Sequence, residues 1–326
     1  MHAVVLSEFG EPGVLVPREH PEPVARPGWV VVELRAAALN WHDCLVRRGQ
    51  YDVPLPHVIG SDGAGVRCDT GEEVVVLPSL HWGPAEEAPA PEWEILGDAT
   101  DGTYAELVAV PRDNVFPRPP GWSWNEAAAL PLAGLTAHRA LFARARLQAS
   151  ETVVILGAGG GVASIAVGLA AMAGARVLVT TSSAEKLERA RSLGAKDGAL
   201  YTGDDWPAAI RELTGGRGAD VVVDAIGDTW PAALEALAPA GRLVSFGATG
   251  SARAVVDVRR FYFAQQTILG TTMGSPRDFA ALLRTLGRAP DWRPPVGAIL
   301  GLDEAAAAHE LMERREHTGK IVLEIA

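Results

Sequence analysis

Apolar positions along this chain follow two patterns, and the change between them comes near residue 120. Before it, short runs such as Ala3-Val-Val-Leu6, Trp29-Val-Val-Val-Glu-Leu34, Glu73-Val-Val-Val-Leu77 and Tyr104-Ala-Glu-Leu-Val-Ala-Val110 are broken by Pro and Gly. Short β-favouring runs bounded by turn residues predict an irregular, barrel-like β domain. From about residue 123 to 267, strand-like runs alternate with helical stretches. Strands are expected at 152–156, 176–180, 199–201, 221–224, 242–246 and 268–271. That alternation predicts a parallel, doubly wound sheet. After residue 295 we expect a helix at 303–315, capped by Asp303, and a strand at 320–325 that returns to the first domain. The predicted division is 1–122 with 295–326 as the β-rich domain and 123–294 as the α/β domain.

The stretch Val153-Val-Ile-Leu-Gly-Ala-Gly-Gly-Gly-Val-Ala163 carries the chemistry. A strand runs into a glycine cluster, Ser164-Ile-Ala-Val-Gly-Leu-Ala-Ala-Met-Ala173 reads as a buried helix, and Arg176-Val-Leu-Val-Thr180 as the next strand. In that order, backbone around Gly159, Gly160, Gly161 and Val162 can approach a pyrophosphate resting on the positive helix N-terminus. The bland alternative is a glycine-rich turn without nucleotide, and the order of elements argues against it. The unit reads as a dinucleotide site.

Residues just beyond the second strand bear on which dinucleotide binds. NAD-selective sites place Asp or Glu there to accept the ribose 2′-hydroxyl. This chain has Thr181, Ser182 and Ser183, with Lys186 in the first turn of the next helix. Hydroxyls and a lysine charge suit a 2′-phosphate that an acid would repel. Lys186 reads equally as a solvated helix lysine, with Glu185 beside it. NADPH is the expected cofactor, and NADH is the alternative.

Composition narrows the class further. A chain of 326 residues, 48% hydrophobic and 21% charged, can bury two ordinary cores. A net charge of −11 argues against nucleic acid or an anionic membrane as partner. Arg47-Arg48 and Arg259-Arg260 read as solvated edges. No opening segment has a signal-peptide layout, and no apolar run is long enough to span a bilayer. Cys44 and Cys68 give no disulfide framework, so a cytoplasmic location is expected.

Several motifs in order resemble the medium-chain dehydrogenase/reductase superfamily, and within it the zinc-free NADPH:quinone oxidoreductase branch that includes zeta-crystallin. They are Ala37-Ala-Leu-Asn-Trp-His-Asp43, Arg48-Gly-Gln-Tyr51, Pro56-His-Val-Ile-Gly-Ser-Asp-Gly-Ala-Gly-Val66, Gly102-Thr-Tyr-Ala-Glu106, Ala127-Ala-Ala-Leu-Pro-Leu-Ala-Gly-Leu-Thr-Ala137, the glycine turn, Val223-Asp-Ala-Ile-Gly227, Val244-Ser-Phe-Gly247 and Gly319-Lys-Ile-Val322. The resemblance covers essentially the whole chain. It implies a GroES-like β-rich catalytic domain plus a Rossmann doubly wound domain, and a homodimer that extends the sheet at 268–271, an exposed edge being prone to pairing.

Zinc-dependent members of that superfamily place a Cys where this chain has Asn40, a His at Ser61 and a third ligand near Leu132. None of these three side chains suits zinc, which takes thiolate or imidazole. The region of the structural-zinc lobe, 78–96, has no cysteine. His42, His57 and His81 lack a paired ligand at recognisable spacing and read as loop or surface residues. The expected metal content is none. Without a Lewis acid, alcohol oxidation is hard, whereas hydride addition to a quinone or an α,β-unsaturated carbonyl needs only hydrogen bonding and a proton.

The resemblance suggests Asn40 as donor to a developing oxyanion and as neighbour of the nicotinamide ribose; a turn-capping Asn is the alternative. It suggests Tyr51 as proton donor, against a tyrosine that only walls the substrate site. Thr136, expected at the start of a domain-crossing helix, would contact the nicotinamide end, or bond to its own backbone. Tyr201 resembles a residue near the adenosine phosphate. Ala225, Ile226, Phe246, Gly247 and Thr271 lie at the ends of sheet strands where ligands sit, and Lys320 completes the expected cofactor contacts. Two other functions remain open: an enoyl-thioester reductase, and a non-catalytic NADPH-binding sensor.

Overall fold

Strand Trp29–Ala38 buries every second residue, Val30, Val32, Leu34 and Ala36, until both faces close over at its end. Such alternation sets one face on a core. In the computed structural model, which describes residues 1–203 and 205–326, this strand is the spine of a seven-stranded sheet. The order is Val115–Pro117, Glu73–Val76, Asp62–Arg67, Trp29–Ala38, Lys320–Glu324 and Val296–Gly301, with Leu107–Pro111 also paired to Trp29–Ala38. The C-terminal strand pairs antiparallel with the spine, Val322 opposite Ala38 and Glu324 opposite Ala36. A second sheet, Leu15–Glu19, His2–Leu6 and His57–Val58, covers a core that includes Val4, Leu6, Leu34, Ile59, Leu80 and Ile321.

The lobe between Pro78 and Leu96 is built without cysteine. Short strands Ser79–Leu80 and Glu94–Ile95 pair, and the rings of Trp82 and Trp93 meet edge-on at 6.2 Å. Trp93 Nε1 donates to Ser79 Oγ and Trp82 Nε1 to Ala85 O, both at 2.8 Å. Each indole brings large apolar area and one satisfied donor. The intervening loop, 84–92, rich in Pro, Ala and Glu, is thus ordered by its flanking tryptophans.

The α/β region forms a parallel six-stranded sheet in the order Asp197–Leu200, Arg176–Thr181, Thr152–Ile155, Ala219–Asp224, Leu237–Ser245, Thr267–Gly270. This is the doubly wound Rossmann order. Thr152–Ile155 is buried throughout, as a central parallel strand covered on both faces must be. Helices Gly161–Met172, Ala184–Ser192, Trp206–Leu213 and Trp230–Ala236 supply the connections. Thr267–Gly270 lies at one edge of this sheet.

The described residues divide into two compact units, Met1–Leu135 with Gly274–Ala326, and Thr136–Met273. The breaks fall inside the predicted α/β region of 123–294 because both of its ends pack on the first unit. Phe279 of helix Pro276–Leu286 meets Phe116 edge-on at 5.0 Å, Ser275 Oγ donates to Glu86 at 2.7 Å, and Arg293 faces Glu126 at 3.5 Å. Near the C-terminus the helix runs Ala305–Glu313, preceded by a 3₁₀ turn Leu302–Glu304. Asp303 is not its cap; it lies in that turn and bonds to His2. Arg47 is not a solvated edge either. It is fully buried, bonded to Gly10 O and Glu313. Among the described residues no helix is long and apolar enough to cross a membrane.

Candidate active site and nucleotide site

In the first unit, Asn40 ends the spine strand and opens helix Trp41–Arg47. Its backbone N–H donates to Asp43 Oδ2 at 2.9 Å. Its side chain is 6% exposed and wired into a buried cluster: Nδ2 donates to Asp62 Oδ2 at 3.0 Å, and Oδ1 accepts from Lys320 Nζ at 2.6 Å. The second Nδ2 hydrogen has only a 3.5 Å contact to Ala38 O, long for a hydrogen bond, so it stays available to a better acceptor that arrives in the amide plane.

Lys320 was expected at the cofactor, and its ammonium is engaged inside the protein. It is 3% exposed, and its ammonium donates to Leu39 O at 2.7 Å, Asn40 Oδ1 at 2.6 Å and Asp62 Oδ2 at 2.8 Å. An ammonium has three donors, and all three are engaged. Asp62, fully buried, takes the charge and turns Oδ1 to the N–H of Leu132 at 2.6 Å, in the first turn of helix Pro131–His138. A carboxylate suits a helix N-terminus. Leu132, at the third expected ligand position, therefore serves through its backbone. Thr136 is buried in the second turn of that helix, not at its start.

A second buried chain starts from Asp43. Its Oδ2 accepts from Tyr104 Oη at 2.9 Å, and Oδ1 faces Ser61 Oγ at 3.4 Å. Tyr104 Oη meets His309 Nε2 at 3.1 Å, and His309 Nδ1 lies 3.5 Å from Cys44 Sγ. Tyr104 has one hydrogen, given to Asp43, so His309 donates from Nε2 and leaves Nδ1 an acceptor facing the Cys44 thiol, whose hydrogen is shared with Met312 Sδ at 3.8 Å. Burial pushes the Asp43 carboxyl up to about 6 against the pull of Asn40 N–H, His42 and Tyr104. Burial also holds His309 down to about 3 and lifts the Cys44 thiol to about 12. His309 is therefore a neutral relay of hydrogen bonds at neutral pH.

His42 and His57 are not loop or surface residues: they lie in helix Trp41–Arg47 and strand His57–Val58, and both are largely buried. His42 Nε2 lies 2.7 Å from Asp98 Oδ1, and the edge of the Tyr51 ring meets it at 4.4 Å. His57 is buried between Asp101 Oδ1 and Gly97 O, each at 3.0 Å. Both carboxylates sit on the loop 97–103, which can press on Gly60 because Gly102 lacks a side chain: a Cβ there would stand 2.1 Å from Gly60 O. Tyr51 itself is 42% exposed. Residue spacing could not show these pairs, since the partners are far apart in the chain.

In the second unit the glycine turn meets the demands of a dinucleotide. Gly157 has φ +68, open only to glycine without strain. Helix Gly161–Met172 starts at Gly160, which offers no side-chain cap, and no acid stands in its first turn. Its first N–H groups are thus open to an anion. Lys186 lies over the turn; a Cβ at Gly159 would stand 3.4 Å from its Cδ and 3.8 Å from its Nζ. Ser183 Oγ caps the next helix by accepting from Lys186 N at 3.3 Å. Thr181 Oγ1 and Thr271 Oγ1 are buried with no hydrogen-bond partner. Tyr201, 44% exposed, donates its N–H to Thr181 O, so the two stand together.

Asp224, missed by sequence reasoning, organises the rest. This buried carboxylate accepts from Ile226 N, Gly227 N, Thr229 Oγ1, Trp230 Nε1 and Ser245 Oγ at 2.7–3.3 Å. Five donors fix the loop that carries Ala225 and Ile226. Thr249 N and Gly250 N bond back to Ala225 O and Ile226 O, and Phe246 N to Asp224 O. Ala225, Ile226, Phe246 and Gly247 are thereby gathered at the C-terminal ends of two neighbouring strands, where doubly wound sheets bind ligands. These open donors, the overlying cation and the unsatisfied hydroxyls fit a pyridine dinucleotide. Among the described residues no group of three His, Cys, Asp or Glu is arranged to hold a metal.

Comparison with known proteins agrees with both halves. Residues 26–120 match the alcohol dehydrogenase GroES-like domain, and 161–288 match the zinc-binding dehydrogenase family. A quinone oxidoreductase of Pseudomonas aeruginosa is 31% identical over 336 residues, with 98% of each chain covered. Among solved structures, an NAD-dependent alcohol dehydrogenase superposes with TM-score 0.93 at 38% identity over the whole of both chains. A mycobacterial protein complexed with NADPH gives TM-score 0.85 at 30% identity, again over the whole of both.

Proposed function

The chain belongs to the quinone oxidoreductase branch of the medium-chain dehydrogenase/reductase superfamily, and from that premise we propose that it is a zinc-independent NADPH-dependent reductase of quinones or α,β-unsaturated carbonyls. That it is an oxidoreductase acting with a pyridine nucleotide on a small molecule follows from the family; the cofactor's phosphate and the acceptor are our reading. The observation that carries it is Asn40, an amide held by Asp62 and Lys320 with one hydrogen left to give. A bound reduced nicotinamide supplies a hydride. Asn40 donates to the oxygen on which negative charge then develops, the role that preorganised donors play best in buried surroundings. Amide, hydroxyl and alkyl groups at Asn40, Ser61 and Leu132 make a poor zinc set, so a Lewis acid has no part in this reading. Loss of NADPH absorbance across a panel of quinones and enones tests it. Tight NADPH binding with no turnover on any member would favour a sensor instead.

Lys186 is the proposed reader of the 2′-phosphate, with Ser182 and Ser183 in place of the acid that would repel it. NADPH is expected to bind more tightly than NADH, and Lys186→Ala to remove most of that gap, about 1–3 kcal/mol for a charge-assisted contact. Titration calorimetry with both cofactors decides; equal dissociation constants in the parent protein would sink the assignment.

The free edge at Thr267–Gly270 supports a proposed homodimer in which two sheets join edge to edge. Light scattering is expected to give twice the chain mass at micromolar concentration, and Ile268→Pro, which removes an N–H on the outward side of the edge strand, to lower it. A parent protein that scatters as a monomer contradicts the proposal.

A further inference from the structure

Asn40 can steady an oxyanion, but it has no proton to release, so the reduction needs a separate acid. Two groups near helix Trp41–Arg47 come into question, Tyr51 and His42. Tyr51 is a half-exposed phenol that bonds to nothing described. His42 is different. Its side chain is 12% exposed, two residues past Asn40, and its Nε2 faces Asp98 Oδ1 at 2.7 Å, with Asp98 itself only 22% exposed. Asp98 is held in turn by its N–H to Ile95 O at 3.0 Å and by the packing of its loop on Gly60. The Tyr51 ring stands edge-on to the imidazole at 4.4 Å and 68°, fixing its plane from the side. Nδ1 has no hydrogen-bond partner among the described residues, yet it is not sealed from solvent.

A histidine with one nitrogen bound to a carboxylate and the other open is the arrangement of a general acid–base, since the carboxylate selects both the tautomer and the direction of the open nitrogen. We propose that His42 is the proton donor to the reduced substrate, with Asp98 its positioning residue and Tyr51 a wall that holds the ring. This rests on the reading of the protein as an enone or quinone reductase. In an enone, the β-carbon gains a hydride with its two electrons, and the π pair moves onto the carbonyl oxygen, giving an enolate. The Nδ1–H bond of imidazolium His42 then breaks as the α-carbon takes the proton. The electron pair stays on Nδ1, Nε2–H remains on Asp98, and water returns a proton to the ring. Quinones do not need this step, because their reduced oxygens are protonated directly by water.

An α-substituted enone separates the possibilities, because protonation at the α-carbon sets a stereocentre. With 2-methylcyclohex-2-enone the parent is expected to form one enantiomer in excess. His42→Phe is expected to slow that reduction ~10²-fold, the usual contribution of a general acid, and to erase the excess. KM, NADPH affinity and quinone reduction should stay within about threefold. Asp98→Ala is expected to lose most of the excess too. In the cofactor-free protein, long-range proton–nitrogen NMR spectra are expected to show His42 protonated at Nε2, and Asp98→Ala to move that resonance. A racemic product from the parent, an excess that survives His42→Phe, or an excess abolished only by Tyr51→Phe overturns the inference. So does a parent that reduces quinones but no enone, which leaves the broader function standing. A parent inactive on both classes overturns that function itself.

Discussion

Lys320→Met is expected to lower the free energy of unfolding by about 3–5 kcal/mol, the usual cost of breaking a buried ion pair from one side. The ammonium meets Asp62 at 2.8 Å, and the two side chains are 3% and 0% exposed. Removing it leaves a buried carboxylate with only the Leu132 N–H and the Asn40 amide to satisfy it. Asn40 Oδ1 and Leu39 O each lose a donor as well. Urea unfolding read through tryptophan fluorescence, at constant slope, measures the effect. Adding Asp62→Leu to the same chain is expected to recover part of the loss, because the unpaired charge goes too. A single variant within about 1 kcal/mol of the parent would show that the pair carries little.

Asn40→Ala is expected to lower turnover ~10²-fold, the cost of losing one oxyanion donor, while NADPH affinity stays within about threefold. Only an interaction made in the transition state separates the two readouts in this way. Asn40 also joins Lys320 to Asp62, so the variant is compared at a temperature where circular dichroism shows it folded. A parallel fall in turnover and NADPH affinity would make Asn40 a residue for placing the cofactor, and the proposed oxyanion role would fail.

Much of the architecture could be read from the pattern of side chains. The apolar runs 153–155 and 221–223 mark central parallel strands, because a strand covered on both faces must be apolar on both. The glycine turn stands out as a strand that runs into successive glycines ahead of an apolar helix, and Gly157, at φ +68, takes a backbone shape that favours glycine. Strand ends were less legible. Leu237–Ser245 begins well before the predicted residue 242, and its early part includes Ala240 at φ +61, a conformation no propensity would suggest. Asp303 looked like a helix cap, yet a distant His2 claimed its carboxylate.

The polar groups of the candidate site show where local reading stops. Asn40, Ser61 and Leu132 could be set against zinc ligands position by position, which is a question of residue type alone. That Lys320 reaches back 258 residues to Asp62, or that His42 finds Asp98 across 56, has no local signal. Hydrophobic periodicity reports which face of an element is buried, because burial repeats with the element's own geometry. It says nothing of the partner across the core, because a buried charge is tolerated only where the folded chain brings an opposite charge or donor to it. The residue types of the glycine turn, and the amide, hydroxyl and alkyl groups at Asn40, Ser61 and Leu132, were therefore determined by the sequence. The pairings that join Lys320 to Asp62 and His42 to Asp98 were decided only by tertiary contact.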